Sequence, residues 1–159
     1  MRNISRTRTL FGCLVLLALA LPAIADGGRQ KAQVIVPEDH KSSYENWGYA
    51  PAIRVGDTIY VSGVIAGLAG EGSYEERYAR GFRRALEHID AVLHEAGASL
   101  DDVVDIMSFH TDLQRQLEVA VKVRMETMSP PHPAWTAVGT TALATPDGQT
   151  EIRVIARVE

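Results

Sequence analysis

Cysteine is almost absent from this chain of 159 residues, and the single cysteine, Cys13, lies in a segment with the pattern of a secretory signal peptide. That segment, residues 1–25, has a basic start, an apolar run from Leu14 to Leu21 and a small-residue end at Ala23–Ala25. Cleavage after Ala25 leaves a mature chain without cysteine. Such a chain has no disulfide, no thiolate nucleophile and no thiolate metal ligand.

A retained membrane anchor is the alternative interpretation of the same segment. The uncharged stretch from Thr9 to Ala25 contains Pro22 and is shorter than the roughly 20 apolar residues that a spanning helix needs. We therefore expect a periplasmic or secreted protein that has no stable association with a membrane after cleavage.

The sequence also lacks a basic excess. Its formal net charge is −4, and without the three leader arginines 13 basic side chains stand against 20 acidic ones, a net charge of −7. Because a phosphate-binding surface normally carries a basic excess, nucleic acid is not expected as a partner. No metal site and no cofactor are predicted either, since His88 and His94 do not share a helix face and no other histidines stand at ligand spacing.

What the sequence does contain is a regular series of elements. The predicted order is hairpin, helix, strand, helix, strand, strand, over Ala52–Ser62, Tyr74–Ala96, Asp105–Thr111, Leu113–Met128, Trp135–Val138 and Glu151–Ala156. The first helix has the clearest signals, with Ser73 as its N-cap and Gly97 just after its end. The apolar stripe of the second helix is predicted at Leu117, Val121, Met125 and Met128.

This order predicts a single α+β domain at residues 49–159, in which two helices pack on one face of a sheet. Residues 26–48 are expected to form a flexible N-terminal segment of the mature chain, with a loop from Pro37 to Tyr49. No third helix is predicted for the other face of the sheet, so we expect other subunits to cover it.

Several segments resemble the YjgF-like Rid family, the reactive intermediate imine and enamine deaminases also called RidA. The resemblance rests on Tyr60–Gly63, Glu95–Val104, Pro133–Gly139 and Glu151–Ala156, and it extends over roughly residues 49–156. It implies a mixed β-sheet of the chorismate-mutase-like Rid fold. It also implies a homotrimer with a central barrel, whose ligand-binding clefts lie between neighbouring subunits.

The resemblance also implies roles for four residues. Glu151 matches the carboxylate that positions the attacking water, whereas the alternative is a strand-end glutamate that faces solvent. Tyr49, Ser62 and Gly63 match positions that line the cleft, with Gly63 allowing close approach of the backbone to a ligand. The alternatives are a packed loop anchor for Tyr49 and an ordinary strand exit for Ser62 and Gly63.

Trp135 is the main departure from the family pattern. Imine hydrolases of the family have an arginine there, which pairs with the substrate carboxylate, and an indole offers one donor and no charge. Ala137 stands where some deaminases have cysteine, so the pocket is less polar and the chain looks most like a YjgH-like branch without the arginine. Trp135 then either forms a flat apolar wall of the cleft or packs at the subunit interface.

His110 is a further candidate, since it could transfer protons if it points into the cleft. A hydrogen-bonded structural role is the interpretation we favour. Three functions follow from the sequence: binding, with or without hydrolysis, of a small apolar or aromatic metabolite; deamination of 2-iminobutanoate or 2-aminoacrylate; or a non-catalytic role as an assembly or holdase protein. The first is preferred because the arginine and the thiol are missing.

Overall fold

The computed structural model describes residues 27–159, so the predicted signal peptide lies outside the described residues. Within this range six strands and three α-helices follow one another: β1 (Gln33–Ile35), α1 (Lys41–Trp47), β2 (Ala52–Val55), β3 (Thr58–Ala66), α2 (Tyr74–Glu95), β4 (Val103–His110), α3 (Leu113–Thr127), β5 (Ala134–Gly139) and β6 (Thr150–Arg157). No helix in the described part combines the length and apolar character needed to cross a membrane.

All six strands form one sheet in the order β1-β2-β3-β6-β4-β5. Only the β4–β5 pair is parallel, and every other pair is antiparallel. Helices α2 and α3 pack against each other and cover one face, which we call the helix face. The predicted α+β class, with a mixed sheet and two helices on one face, is confirmed.

Helix α2 forms most of the contact with the sheet. Its buried residues recur at helical spacing and include Tyr78, Phe82, Leu86, Ile89 and Leu93. Ser73 caps its N-terminus, because its hydroxyl accepts from the backbone N–H of Glu76 while the Glu76 carboxylate accepts from the backbone N–H of Ser73. Gly97 follows the helix with φ of 80°, a conformation that strongly favours glycine. Both predicted helix ends are confirmed.

The stripe predicted for α3 is correct at Met128, which follows the helix and is buried, but wrong for two of its other residues. Leu117 and Met125 are 37% and 58% exposed, and the buried face instead carries Gln116, Ala120, Val123 and Arg124. Gln116 is buried because its amide donates to the hydroxyl of Tyr74 at 2.8 Å, a contact between two helices that local periodicity cannot show. The helix is therefore rotated relative to the prediction, and it buries a charged residue.

The loop predicted from Pro37 to Tyr49 is also wrong, since α1 occupies its middle. This helix has no buried residue and ends at Gly48, which adopts a left-handed conformation with φ of 68°. The segment then runs beside β3, where the backbone N–H of Ser62 donates to the carbonyl of Pro51 at 2.8 Å. It therefore flanks the second half of β3, beyond the reach of the shorter β2.

The face of the sheet opposite α2 and α3, which we call the open face, is partly apolar. Side chains alternate between faces along a strand, and the register places Val138, Phe109, Glu151 and Ile65 in one row across β5, β4, β6 and β3. Neither long helix covers this row, and Val138 is 40% exposed.

Candidate active site

Glu151 lies on the open face of β6, between the buried residues Thr150 and Ile152. Its carboxylate is seated directly over Gly63 of β3: a Cβ built on Gly63 would lie 1.9 Å from Glu151 Oε1 and 2.7 Å from its Cδ. Only glycine leaves this space free. Among residues 27–159 the Glu151 carboxylate forms neither a hydrogen bond nor an ion pair, so its oxygens are available to a water molecule or a ligand.

A break in the β3–β6 ladder creates this arrangement. The register shifts between Val61 and Val64, and the bulge leaves Ser62 and Gly63 outside the regular pairing with β6. The Ser62 hydroxyl donates to the carbonyl of Ala50 at 2.6 Å and so fixes the end of the segment that carries Tyr49. The hydroxyl proton of Ser62 is used in this hydrogen bond, whereas the hydroxyl oxygen can still accept a hydrogen bond from another donor.

These residues line a cleft of about 410 Å³ on the open face, which we call the Glu151 cleft. The lining consists of Ser43, Trp47, Tyr49, Ser62, Gly63, Ile65, Ala144, Thr145 and Glu151. The lining combines apolar and polar side chains, and the Glu151 carboxylate is its one charged group. Four of the residues predicted from the family resemblance, Tyr49, Ser62, Gly63 and Glu151, thus come together in one chain.

The sequence did not predict a pair of histidines that lies on the other side of the bulge. His40 Nε2 and His88 Nε2 are 3.0 Å apart, and His40 Nδ1 is 2.9 Å from Asp39 Oδ1. Burial, and secondarily the proximity of His40, lowers the pKa of His88. The pair borders a smaller hollow of about 220 Å³ that shares Tyr49 with the Glu151 cleft. No sequence pattern joins two histidines that stand 48 residues apart.

Trp135 and Ala137 lie on the helix face instead. Trp135 is in register with buried Ile106 of β4, and Ala137 is in register with buried Ser108. The indole N–H of Trp135 donates to the Ser108 hydroxyl at 2.8 Å, and the guanidinium carbon of Arg124 lies 5.7 Å from its ring centroid. The one polar group of the indole is therefore already paired.

His110 belongs to a buried polar network under α2. Its Nε2 is 2.8 Å from the Ser108 hydroxyl, its Nδ1 is 3.1 Å from Thr150 Oγ1, and Thr150 Oγ1 is 2.7 Å from the hydroxyl of Tyr78. Burial lowers the pKa of His110, although a hydrogen bond with Gln116 opposes this effect. The same desolvation raises the pKa of Tyr78. His110 therefore has a hydrogen-bonded internal position and does not line the Glu151 cleft.

The sheet separates the predicted site residues into two groups. Glu151 faces one side and Trp135 faces the other, so a single chain cannot place both in one cleft. A cleft that contains both residues needs two subunits. Within the described residues, no group of three or more histidine, aspartate or glutamate side chains is arranged to hold a metal ion.

Comparisons with known proteins identify the family of this chain. The family model described as endoribonuclease L-PSP matches residues 42–158. The chain belongs to this YjgF/RutC/Rid family. The family match begins seven residues before the start predicted for the folded domain, within α1.

Individual Rid proteins show how close the similarity is. The RutC family protein YjgH of Escherichia coli K12 is 42% identical over 125 residues, which cover 78% of this chain and 93% of that protein. A solved structure of protein YjgH superposes with a TM-score of 0.64 and 37% identity, covering 79% of this chain and 95% of that one. RidA from an Antarctic Psychrobacter superposes with a TM-score of 0.60 and 31% identity, covering 69% of this chain and 88% of that one.

Proposed function

We propose that this Rid protein hydrolyses a small imine or enamine, with Glu151 as the residue that orients the attacking water. The observation that carries the proposal is the position of the Glu151 carboxylate, which lies over Gly63 in an open cleft and has no protein partner among residues 27–159. A carboxylate in that position can accept a hydrogen bond from a water molecule and increase the nucleophilicity of its oxygen.

The reaction needs no further reagent than water. The water oxygen bonds to the imine carbon, the C=N double bond becomes a single bond, and the water proton passes through the carboxylate to the nitrogen. The hydroxyl group of the resulting carbinolamine then gives its proton to the nitrogen, its oxygen forms the C=O double bond, and the C–N bond breaks with its electron pair leaving on ammonia. An enamine enters the same sequence after tautomerisation, in which its carbon gains a proton from water and its nitrogen returns one, so that it becomes an imine. Glu151 contributes orientation of the water and mild base assistance.

The substrate that fits best is small and partly apolar or aromatic. Trp47, Ile65 and Ala144 are apolar residues of the lining of the Glu151 cleft, and Ile65 is the neighbour of Glu151 across β3 and β6. Tyr49, which is 43% exposed, stands at the cleft with its phenol accessible to a ligand. These walls support an apolar or aromatic metabolite, and 2-iminobutanoate and 2-aminoacrylate are small enough to serve as first test substrates.

The proposal includes a homotrimer in which each cleft lies between two subunits. Its support is the separation of Trp135 and Glu151 on opposite faces of the sheet, together with the partly apolar open face. We also propose that the protein works after export, in the periplasm or outside the cell. The support for export is the basic and apolar pattern of residues 1–25.

A second candidate is a protein that binds such a metabolite without turning it over. One observation favours it: the Trp135 N–H, the single donor of the indole, is already given to Ser108. The ring then offers a ligand only a flat apolar surface. An assembly or holdase role would use the outer surface of the trimer and would not depend on either Trp135 or Glu151.

The test measures the loss of enzymatically generated 2-aminoacrylate and 2-iminobutanoate above the spontaneous rate, with the mature protein. Glu151→Gln removes the charge but keeps the shape, and we expect it to lower turnover by about 100-fold or more. Glu87→Gln, an exposed position on α2, is the matched control. If Glu151→Gln accelerates the reaction as much as the parent does, the proposed role of Glu151 is contradicted. If the parent protein does not accelerate the reaction, ligand binding without turnover becomes the better supported function.

A further inference from the structure

Two histidines from distant parts of the chain meet beside the bulge of β3. His40 lies just before α1, His88 lies in the second half of α2, and their Nε2 atoms are 3.0 Å apart. Both residues are partly buried, and both border the hollow of about 220 Å³. Two imidazole nitrogens from separate elements are thus held close together at the wall of a cavity.

Asp39 determines which nitrogen of His40 is free. Its Oδ1 atom lies 2.9 Å from His40 Nδ1, and an ionised carboxylate can only accept a hydrogen bond. Nδ1 of the neutral ring therefore carries the proton, and Nε2 presents a lone pair toward His88. A carboxylate that orients an imidazole in this way is the usual second partner of a metal-binding histidine.

The two rings are not placed for a straight hydrogen bond between their nitrogens. Their centroids are 4.7 Å apart and their planes are inclined by 43°. In a straight N–H···N bond the rings would face each other end to end, with centroids about 5.3 Å apart. By contrast, two imidazoles that bind one ion at about 2.0–2.1 Å, with an angle of about 95° at the ion, have nitrogens about 3 Å apart and centroids about 4.7 Å apart. The observed separations match this second arrangement.

We propose that His40 and His88 bind a divalent transition-metal ion in this hollow, with Asp39 as the residue that orients His40. Imidazole is a ligand for copper, nickel and zinc, and an angle near 90° is typical of the tetragonal geometry of copper(II) and nickel(II). Two protein ligands leave the other coordination positions to water, for which the hollow has room. The sequence predicted no metal site, because only the fold brings these two ligands together.

A bound ion would fasten the segment around α1 to α2. Helix α1 has no buried residue and therefore gains little from packing. Trp47 at its end and Tyr49 just after it belong to the lining of the Glu151 cleft. Metal binding by His40 and His88 would hold the start of this segment in place. The site goes beyond the proposed function and does not depend on it.

Calorimetric titration of the untagged mature protein with Cu²⁺, Ni²⁺ and Zn²⁺ tests the site, with Mg²⁺ as the control ion that prefers oxygen ligands. We expect Cu²⁺ to bind more tightly than Ni²⁺ or Zn²⁺, and Mg²⁺ not to bind. Saturating Zn²⁺ should raise the Tm, because it binds the folded chain preferentially. The Cu²⁺ titration runs to three equivalents, so that copper held by the N-terminal amine does not hide the site.

Four variants locate the bound copper. His40→Gln and His88→Gln each remove one ligand, and either should weaken binding at this site by about 100-fold or more. Asp39→Asn leaves both ligands in place but loses the orienting carboxylate, so we expect a weakening of about 10-fold. His94→Gln is the matched control, because His94 lies on the same helix with a side chain that is 65% exposed. Its copper affinity should equal that of the parent.

Pulsed EPR of the same samples counts the imidazoles at the metal, because the remote ring nitrogen of a bound imidazole modulates the electron-spin echo. We expect a species with two imidazoles in the parent and in His94→Gln, and none in His40→Gln or His88→Gln. If the parent shows no such species, or if the two ligand variants bind Cu²⁺ as tightly as the parent, the inference is overturned.

These measurements use no imine, so they are independent of the proposed function. A parent that binds copper through two imidazoles but hydrolyses no imine supports the metal site and contradicts the proposed hydrolysis. A parent that hydrolyses 2-iminobutanoate but shows no copper species with two imidazoles gives the opposite result. Circular dichroism of each variant confirms that a loss of binding does not come from unfolding.

Discussion

The two faces of the sheet use polar residues in opposite ways. On the helix face, Ser108, His110, Thr150 and Tyr78 are buried and bonded to one another at distances of 2.7 to 3.1 Å. On the open face, Glu151 stands over Gly63 with no protein partner among the described residues. This network of the helix face thus completes its hydrogen bonds inside one chain, whereas the Glu151 carboxylate of the open face does not.

This difference separates structural polar groups from functional ones. A buried polar group that is fully paired stabilises one arrangement of the core and has nothing left to offer a ligand. A polar group without a partner retains its bonding capacity for water, substrate or a second subunit. By that criterion His110, the candidate proton-transfer group of the sequence analysis, is structural. Arg124 lies on the helix face, but its buried Nε and Nη1 atoms have no hydrogen-bond partner among the described residues.

The largest effect that tests this comparison is expected from Gly63→Ala. The added Cβ would meet the Glu151 carboxylate at 1.9 Å, and the flexible end of the glutamate is the part that yields. Displacement of a catalytic group by about 1 Å costs on the order of 100-fold in rate, so turnover of 2-iminobutanoate should fall by that factor. The measurement is the steady-state rate above the spontaneous one.

Gly67→Ala is the matched control for this variant. A Cβ on Gly67 has only one neighbour within 4 Å, the carbonyl oxygen of Asp147 at 3.8 Å, which is ordinary contact. Its turnover should equal that of the parent, and both variants should unfold at nearly the parent's denaturant concentration. Full activity of Gly63→Ala would show that the position of the Glu151 carboxylate over Gly63 does not affect turnover. The unpaired carboxylate of the open face would then have no functional role.

The next largest effect is expected from a substitution in the buried hydrogen-bond network of the helix face. Thr150→Val keeps the shape of the side chain but removes the hydroxyl that bonds to both His110 and Tyr78. Leaving buried groups unpaired costs about 1 to 3 kcal/mol, and we expect the free energy of unfolding to fall by this amount in urea titrations. Thr136→Val, at an exposed strand position, should change it by less than about 0.5 kcal/mol. Equal effects of the two substitutions would contradict a structural network.

The elements that the sequence predicted well are those whose signals are local. Helix α2 has a complete capping box at Ser73, a glycine after its end and a continuous apolar stripe. The hairpin of β2 and β3 turns at Gly56, whose φ of 59° suits glycine. Each of these signals lies within a few residues of the feature that it determines, so no knowledge of the tertiary structure is needed.

The features that the sequence did not reveal depend on distant contacts. Helix α1 is seven residues long with no buried side chain, and a helix that short is marginal without the chain beside it. The burial of Arg124 was not predicted, because nothing local shows that α3 turns this position toward Trp135 of β5. The side of the sheet that Trp135 faces depends on its register with Ile106, 29 residues earlier in the chain. The match of Tyr49, Ser62, Gly63 and Glu151 came from family resemblance, not from periodicity.

The smallest expected effect is a loss of stability in mild acid. Burial lowers the pKa of His110, whose buried neighbours are all neutral, and burial together with His40 lowers the pKa of His88. The unfolded chain titrates near the ordinary value of about 6.5, so below that pH it binds protons that the folded chain does not yet accept. Stability is therefore constant above about pH 6.5 and falls with the pH until the folded pKa values are passed.

Urea unfolding of the parent and of His88→Gln between pH 5 and pH 7.5 measures this effect. The glutamine keeps a hydrogen-bonding side chain opposite His40 but cannot gain a proton, so the variant should lose less stability on acidification than the parent. The charge of Asp39, which bonds to His40 at 2.9 Å, opposes the lowering of the His88 pKa and so reduces the effect of His88 on the pH dependence. If the stability of His88→Gln depends on pH in the same way as that of the parent, the whole loss of stability in acid comes from His110, which lies on the helix face.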